Sequence, residues 1–175
     1  MGTSAVVPGT IEAEAFDYGG EGVGYHDTTA GNSGGVRKKQ CAVRWALRRT
    51  EDVDVKVDGA GGYYIGWVAD SEYLTYTVEV TEDADAFDFE FVVASPRGFS
   101  GSLQVVSGGT GCSDYKTDLS GVVGITPTGD WDTFATITSS GGGSGGLTEG
   151  PNTIWLCTIS PGFNIDSFTM TPVAA

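Results

Sequence analysis

Pro161-Gly162-Phe163-Asn164-Ile165-Asp166-Ser167-Phe168-Thr169-Met170 reads as a Pro-Gly turn that opens into a strand. Phe163, Ile165, Phe168 and Met170 are core-building residues. Asn164 and Asp166 stand among them, and polar groups in such a segment need partners. The rest of the chain has to supply those partners.

The chain has 175 residues, which suits one domain around one substantial core. Its 28 glycines, many Val and Thr, and few strong helix formers favour short strands joined by tight turns, so an all-β sandwich is expected. No apolar run is long enough to span a membrane, and residues 1–9 lack the basic start and apolar stretch of a secretory signal. Residues 1–9 are read as a leader and 10–175 as a single domain. The formal charge of −14 argues against nucleic acid as a partner, because phosphate binding needs clustered Lys and Arg.

Six of the nine basic residues, Arg37, Lys38, Lys39, Arg44, Arg48 and Arg49, fall in one run with no acidic residue. Its middle, Cys41 to Leu47, has the best helix propensity in the chain. The run is expected to be a solvated insertion; a basic arm reaching an anionic ligand is the alternative. Cys41, Cys112 and Cys157 allow one intrachain disulfide and leave an odd thiol, and the pairing stays open. With a single histidine and no close cysteine pair, zinc ligation is not expected.

Thr10 to Phe16 alternates, which predicts a strand with Glu12 and Glu14 on one face. Two carboxylates about 7 Å apart repel unless water or a cation lies near. Either a solvated face or a calcium site fits, since calcium collects oxygens from separate segments. Glu51 to Val57, Gly61 to Val68, Glu72 to Val80, Phe87 to Ala94, Ser102 to Val106, Gly121 to Thr126, the segment after Trp131, and Asn152 to Ile159 complete about nine or ten strands. Trp67, Tyr73 and Tyr76 are read as core and sheet-face aromatics. Gly141 to Gly146 resembles a flexible linker but is expected to be a loop within the domain.

Chemistry needs a constellation, and none for catalysis stands out. His26 beside Asp27 lacks a serine in a nucleophile elbow. A carboxylate pair acting on a glycosidic bond, as in an independent polysaccharide hydrolase or lyase, stays an alternative. Sugar binding fits better, because a pyranose offers apolar faces to flat aromatics and hydroxyls to amides and carboxylates. Trp131, between Asp130 and Asp132 at a turn, is the best candidate for an exposed aromatic. Tyr25, after a glycine-rich loop, reads equally as exposed or packed at a sandwich edge. Asn164 and Glu21 could supply polar contacts.

Six ordered blocks carry a family resemblance: Ile11 to Phe16, Glu21 to Asp27, Gly62 to Trp67, Glu72 to Tyr76, Gly129-Asp130-Trp131, and Gly162 to Phe168. Together they resemble family 6 carbohydrate-binding modules over about residues 10 to 172. The resemblance implies a jelly-roll β-sandwich, galactose-binding-like and not an enzyme. It implies a monomeric, secreted module that binds a polysaccharide or oligosaccharide and is appended to a glycoside hydrolase catalytic domain. It implies Glu21, Tyr25, Trp131 and Asn164 as ligand-binding residues. It further implies a structural calcium between the first and last strands, with Glu12, Glu14 and Asp166 as side-chain ligands. The ligand preference is not carried over with the resemblance: xylan and β-glucan are candidates, beside agar-type galactan, which only the acidity suggests, through a salt-adapted source; an adhesion domain for anionic glycans is a further alternative. The basic run and the long loop around Cys112 depart from the pattern. Strict alternation would put Asn164 and Asp166 on one face, so Asn164 is expected to belong to the turn and Asp166 to the strand.

Overall fold

Phe87-Asp88-Phe89-Glu90-Phe91-Val92-Val93 alternates aromatic or branched residues with polar or smaller ones, and the strand it forms buries Phe87, Phe89, Phe91 and Val93 together on one face. A computed structural model describes residues 4–35 and 51–173. The basic run, the helical reading of its middle and Cys41 lie outside the described residues.

In chain order the strands are β1 (Ala5–Val7), β2 (Gly9–Glu12), β3 (Tyr25–His26), β4 (Val55–Val57), β5 (Tyr63–Ile65), β6 (Tyr73–Val80), β7 (Phe87–Ala94), β8 (Gly101–Ser107), β9 (Thr117–Asp118), β10 (Val123–Ile125), β11 (Phe134–Ser140), β12 (Gly150–Ser160) and β13 (Asn164–Pro172). One sheet runs β1-β6-β12-β8-β10, with β3 on β6 and β9 on β8. The other runs β11-β7-β13-β5-β4, with β2 on β13. This is the expected jelly-roll β-sandwich. Among the described residues no helix is long and apolar enough to cross a membrane.

The inner faces meet through aromatic contacts. Phe91 stacks between Phe89 and Phe168, with centroids at 5.5 and 6.1 Å, and Phe168 meets Tyr76 of the opposite sheet edge-on at 5.3 Å. Leu103, Val105, Ile154 and Leu156 fill the same interior from β8 and β12.

Several sequence expectations are corrected here. β1 pairs in parallel with β6 and Val7 is fully buried, so residues 5–9 belong to the domain rather than to a leader. The strand expected over Thr10 to Phe16 stops at Glu12 and passes into a 3₁₀ turn, Ala13–Ala15. Ala13 and Phe16 both bury; a spacing of three suits a 3₁₀ turn and not a strand. Glu12 and Glu14 therefore do not share a strand face.

Asn164 is not in the turn. It pairs with Ala94 in the ladder, and the register then slips, with Ile165 opposite Val93 but Ser167 opposite Val92. Asp166 is thus the extra residue of a β-bulge. The slip lets Ile165, Phe168 and Met170 all face the core although their spacing breaks strict alternation. It also separates Asn164 from Asp166 without any need for the turn.

Cys112 and Cys157 form a disulfide with Cα atoms 5.8 Å apart, tying the loop after β8 to β12. The glycine-rich stretch is a packed loop. Ser144 N donates to the Asp118 carbonyl at 2.9 Å, and a Cβ on Gly143 would come within 2.3 Å of the Leu119 carbonyl oxygen.

Candidate functional site

β5 ends at Ile65, and the next two residues open the site. Gly66 N donates to the Asp54 carbonyl at 2.9 Å, and a Cβ at 66 would lie 2.7 Å from Asn164 Oδ1, so the close approach requires glycine. Trp67 then adopts φ 52°, a left-handed conformation that costs an L-residue about 1–2 kcal/mol. The indole turns away from the core and is 52% exposed. Strain held at a surface aromatic is a pointer to function.

The loop behind Trp67 is clamped by Glu72, whose buried carboxylate accepts from Ala69 N at 2.8 Å and from Thr28 N and Oγ1 at 2.9 and 2.7 Å. Facing it, the 128–132 turn is fixed by Thr128 N donating to the Ser95 carbonyl at 2.8 Å and Asp132 N donating to Asp130 Oδ1 at 2.9 Å. That turn presents Trp131, 41% exposed.

Trp67 and Trp131 line one cleft of about 290 Å³, with Asn164, Tyr64, Lys56 and Asp132 around them. Asn164, 4% exposed, donates Nδ2–H to the Trp131 carbonyl at 2.6 Å. An amide has two N–H donors and one acceptor oxygen, so a second N–H and Oδ1 are left for a ligand. Asp132 accepts from the Tyr64 hydroxyl at 2.5 Å and from Lys56 Nζ at 2.9 and 3.2 Å. The Tyr64 hydroxyl first, and Lys56 second, hold the Asp132 carboxyl below its ordinary range. The cleft thus combines flat apolar walls with an amide, a carboxylate and an ammonium, which suits a ligand with apolar faces edged by hydroxyls.

Of the four sequence-predicted ligand residues, Trp131 and Asn164 come together in this cleft. Tyr25 and Glu21 do not. Tyr25 pairs with Leu74 across β3 and β6, is 3% exposed, and meets Phe16 edge-on at 5.8 Å; its hydroxyl accepts from Asp52 N at 3.2 Å. It is a core residue. Glu21 braces its own loop, accepting from Asp27 N at 3.0 Å and pairing with His26. Trp67, not Tyr25, is the aromatic that lines the cleft with Trp131, and at 52% exposed it is not a core residue as the sequence reading had it. The available signal was Gly66: it ends the Tyr63-Tyr64-Ile65 strand, and Trp67 is followed by turn-forming Ala69-Asp70-Ser71 rather than by alternation. Lys56, Tyr64 and Asp132 were also missed, since only the β4–β5 pairing brings Lys56 beside Tyr64.

The predicted metal set is assembled only in part. Glu12 lies opposite Ser167, next to Asp166. Partial burial, and then the negative charge of Asp166, raise the Glu12 carboxyl above its ordinary value. Glu14 lies in the 3₁₀ turn, and among the described residues no three of His, Cys, Asp and Glu form a group able to hold a metal ion.

A second acidic neighbourhood backs the Trp67 loop. The Asp27 carboxyl is pushed up to about 6, by burial first and further by Glu72 and Asp54, against the opposing hydrogen bonds from Thr29. A raised carboxyl favours the folded state when protonated. Its contribution is therefore complete below the unfolded value near pH 4 and is lost as pH rises through 6. Asp27→Asn, which keeps the Oδ1 acceptor for Thr29, should match the parent at pH 4 and be more stable at pH 7.5. After allowance for solvent screening the gain is on the order of 1 kcal/mol, or about 2–4 °C in Tm. Melting curves at the two pH values check this; equal Tm differences at both would count against it.

No protein-family model and no curated protein matches the chain. Solved structures do match. The module CsCBM6-3 from Clostridium stercorarium, solved with cellobiose, superposes with TM-score 0.66 at 18% identity over 99% of this chain and 100% of that one. A β-1,3-glucan-binding family 6 module from Bacillus halodurans gives TM-score 0.59 at 22% identity over 96% and 98%. A family 43 arabinoxylan arabinofuranohydrolase from Bacillus subtilis matches 98% of this chain with only 28% of its own, at TM-score 0.62 and 14% identity. The chain has the β-sandwich fold of the family 6 carbohydrate-binding modules.

Proposed function

We propose that this protein is a non-catalytic carbohydrate-binding module whose cleft between Trp67 and Trp131 takes a sugar ring of a plant or algal polysaccharide. The observation that carries this reading is the pair of half-exposed indoles on two separately braced loops, lining one cleft over the Asn164 amide. Xylan, β-glucan and agar-type galactan are the ligand classes. The cellobiose complex and the β-1,3-glucan-binding module, both structures of this fold, support the second of these. The arabinofuranohydrolase, in which a segment of this fold is part of a larger enzyme, supports the further reading that the module serves an attached, secreted glycoside hydrolase. Affinity electrophoresis in gels containing each polysaccharide tests the proposal. Retardation in at least one gel, lost in Trp131→Ala, is expected; unretarded migration in all of them would overturn it.

We also propose a structural calcium held by Glu12 and Asp166 together with backbone carbonyls, joining β2 to β13. The ion would neutralise two carboxylates that otherwise repel. Calcium at a hundredfold excess over Kd should stabilise by about 2.7 kcal/mol, roughly 5–10 °C above the Tm in chelator. Glu12→Gln should lose that shift. Identical melting with calcium and with chelator would remove the ion from the account.

A further inference from the structure

Phe99 is the feature at the cleft that the two-tryptophan reading does not use. It is 49% exposed, and its ring lies 5.2 Å from that of Trp131 at an interplanar angle of 57°. The ring also rests on Gly162, a residue of the cleft wall, where a Cβ would meet it at 3.3 Å. The apolar surface of the cleft therefore continues past Trp131 onto Phe99 instead of ending at the indole.

The loop that carries Phe99 is braced. Phe99 N donates to the Pro96 carbonyl at 3.2 Å, and Arg97 N to the Gly129 carbonyl at 3.3 Å. Ser95, fully buried, donates Oγ–H to the Gly162 carbonyl at 2.7 Å. These bonds fix the Phe99 loop to the two segments that shape the cleft, the turn bearing Trp131 and the turn before Asn164. An aromatic held open to solvent by a rigid frame is ordered before any ligand arrives, which lowers the entropy lost on binding.

Resting on the sugar-binding reading above, we propose that Phe99 is a second aromatic subsite, stacking the sugar next to the one held between Trp67 and Trp131. The ligand is then an internal stretch of a glycan chain rather than a chain end. The 57° between the Phe99 and Trp131 rings suits a chain whose successive units turn relative to one another, such as a xylan or β-1,3-glucan strand. A flat crystalline surface would call for coplanar rings.

Titration calorimetry with xylo- and β-1,3-gluco-oligosaccharides of increasing length separates this subsite from the main one. In Phe99→Ala, affinity for the shortest ligands should stay within about twofold of the parent, while affinity for tri- to hexasaccharides falls roughly tenfold, near the upper end of one aromatic contact. Phe99→Tyr, which keeps the ring, should retain the parent's gain with length. Equal losses at every length would mean that Phe99 only braces Trp131, and no loss at any length would mean that it touches nothing; either result overturns the subsite while leaving the main cleft standing. If the parent itself binds no oligosaccharide and Trp131→Ala changes nothing, the subsite and the module reading fall together.

Discussion

Trp67→Ala should lose at least about 2 kcal/mol of polysaccharide affinity, a factor of thirty or more, as expected for a central aromatic anchor. Its melting temperature should barely move. The indole is half exposed, so truncation leaves no internal cavity, and surface changes of this kind fall within about ±0.5 kcal/mol. Trp67→Gly goes further. With φ at 52°, glycine relieves the left-handed strain, and this variant should melt at or above the parent while losing at least as much affinity as Trp67→Ala. Calorimetry and melting on the two variants check both halves; a Tm collapse in Trp67→Ala would return Trp67 to the core.

Phe168→Ala should do the reverse. Phe168 is fully buried and joins the sheets, stacking on Phe91 and meeting Tyr76 edge-on. Removing the ring forfeits its burial and leaves a cavity, which costs about 3–5 kcal/mol, or on the order of 10 °C in Tm. Denaturant unfolding should show the midpoint falling with an unchanged slope, and any folded fraction should bind sugar with parental affinity. A loss below about 1 kcal/mol would mean that the sheets are held together elsewhere.

The opposite behaviour of these two aromatics explains what could be read from sequence. The alternating run Phe87 to Val93 declared its strand because it buries one face, and burial with a period of two is written directly in residue order. Trp131 was legible because its aspartate neighbours exclude a core position. Trp67 was not, because its exposure depends on a left-handed backbone at one residue, which no periodicity reports. Tyr25 failed in the other direction: a glycine-rich approach suggested exposure, but pairing with Leu74 turns its ring inward against Phe16. Lys56, Tyr64 and Asp132 meet only through strand pairing and a turn 68 residues further along the chain.

The C-terminal strand shows the same division. Its polar pair, Asn164 and Asp166, could be assigned to different sides only by supposing that one belonged to the turn. The bulge at Asp166 achieves the separation inside the strand, placing Asn164 under the cleft and Asp166 near Glu12. A single extra residue thus sets the phase of the core residues after it and the position of the amide before it.

The most direct test is a crystal structure of the protein grown with an oligosaccharide of the polysaccharide it retains in affinity gels. The cleft account predicts a pyranose ring between the Trp67 and Trp131 indoles, hydrogen-bonded to Asn164. A sugar found instead on the outer face of the other sheet, around Tyr73 and Trp155, with nothing between the two indoles, would contradict it.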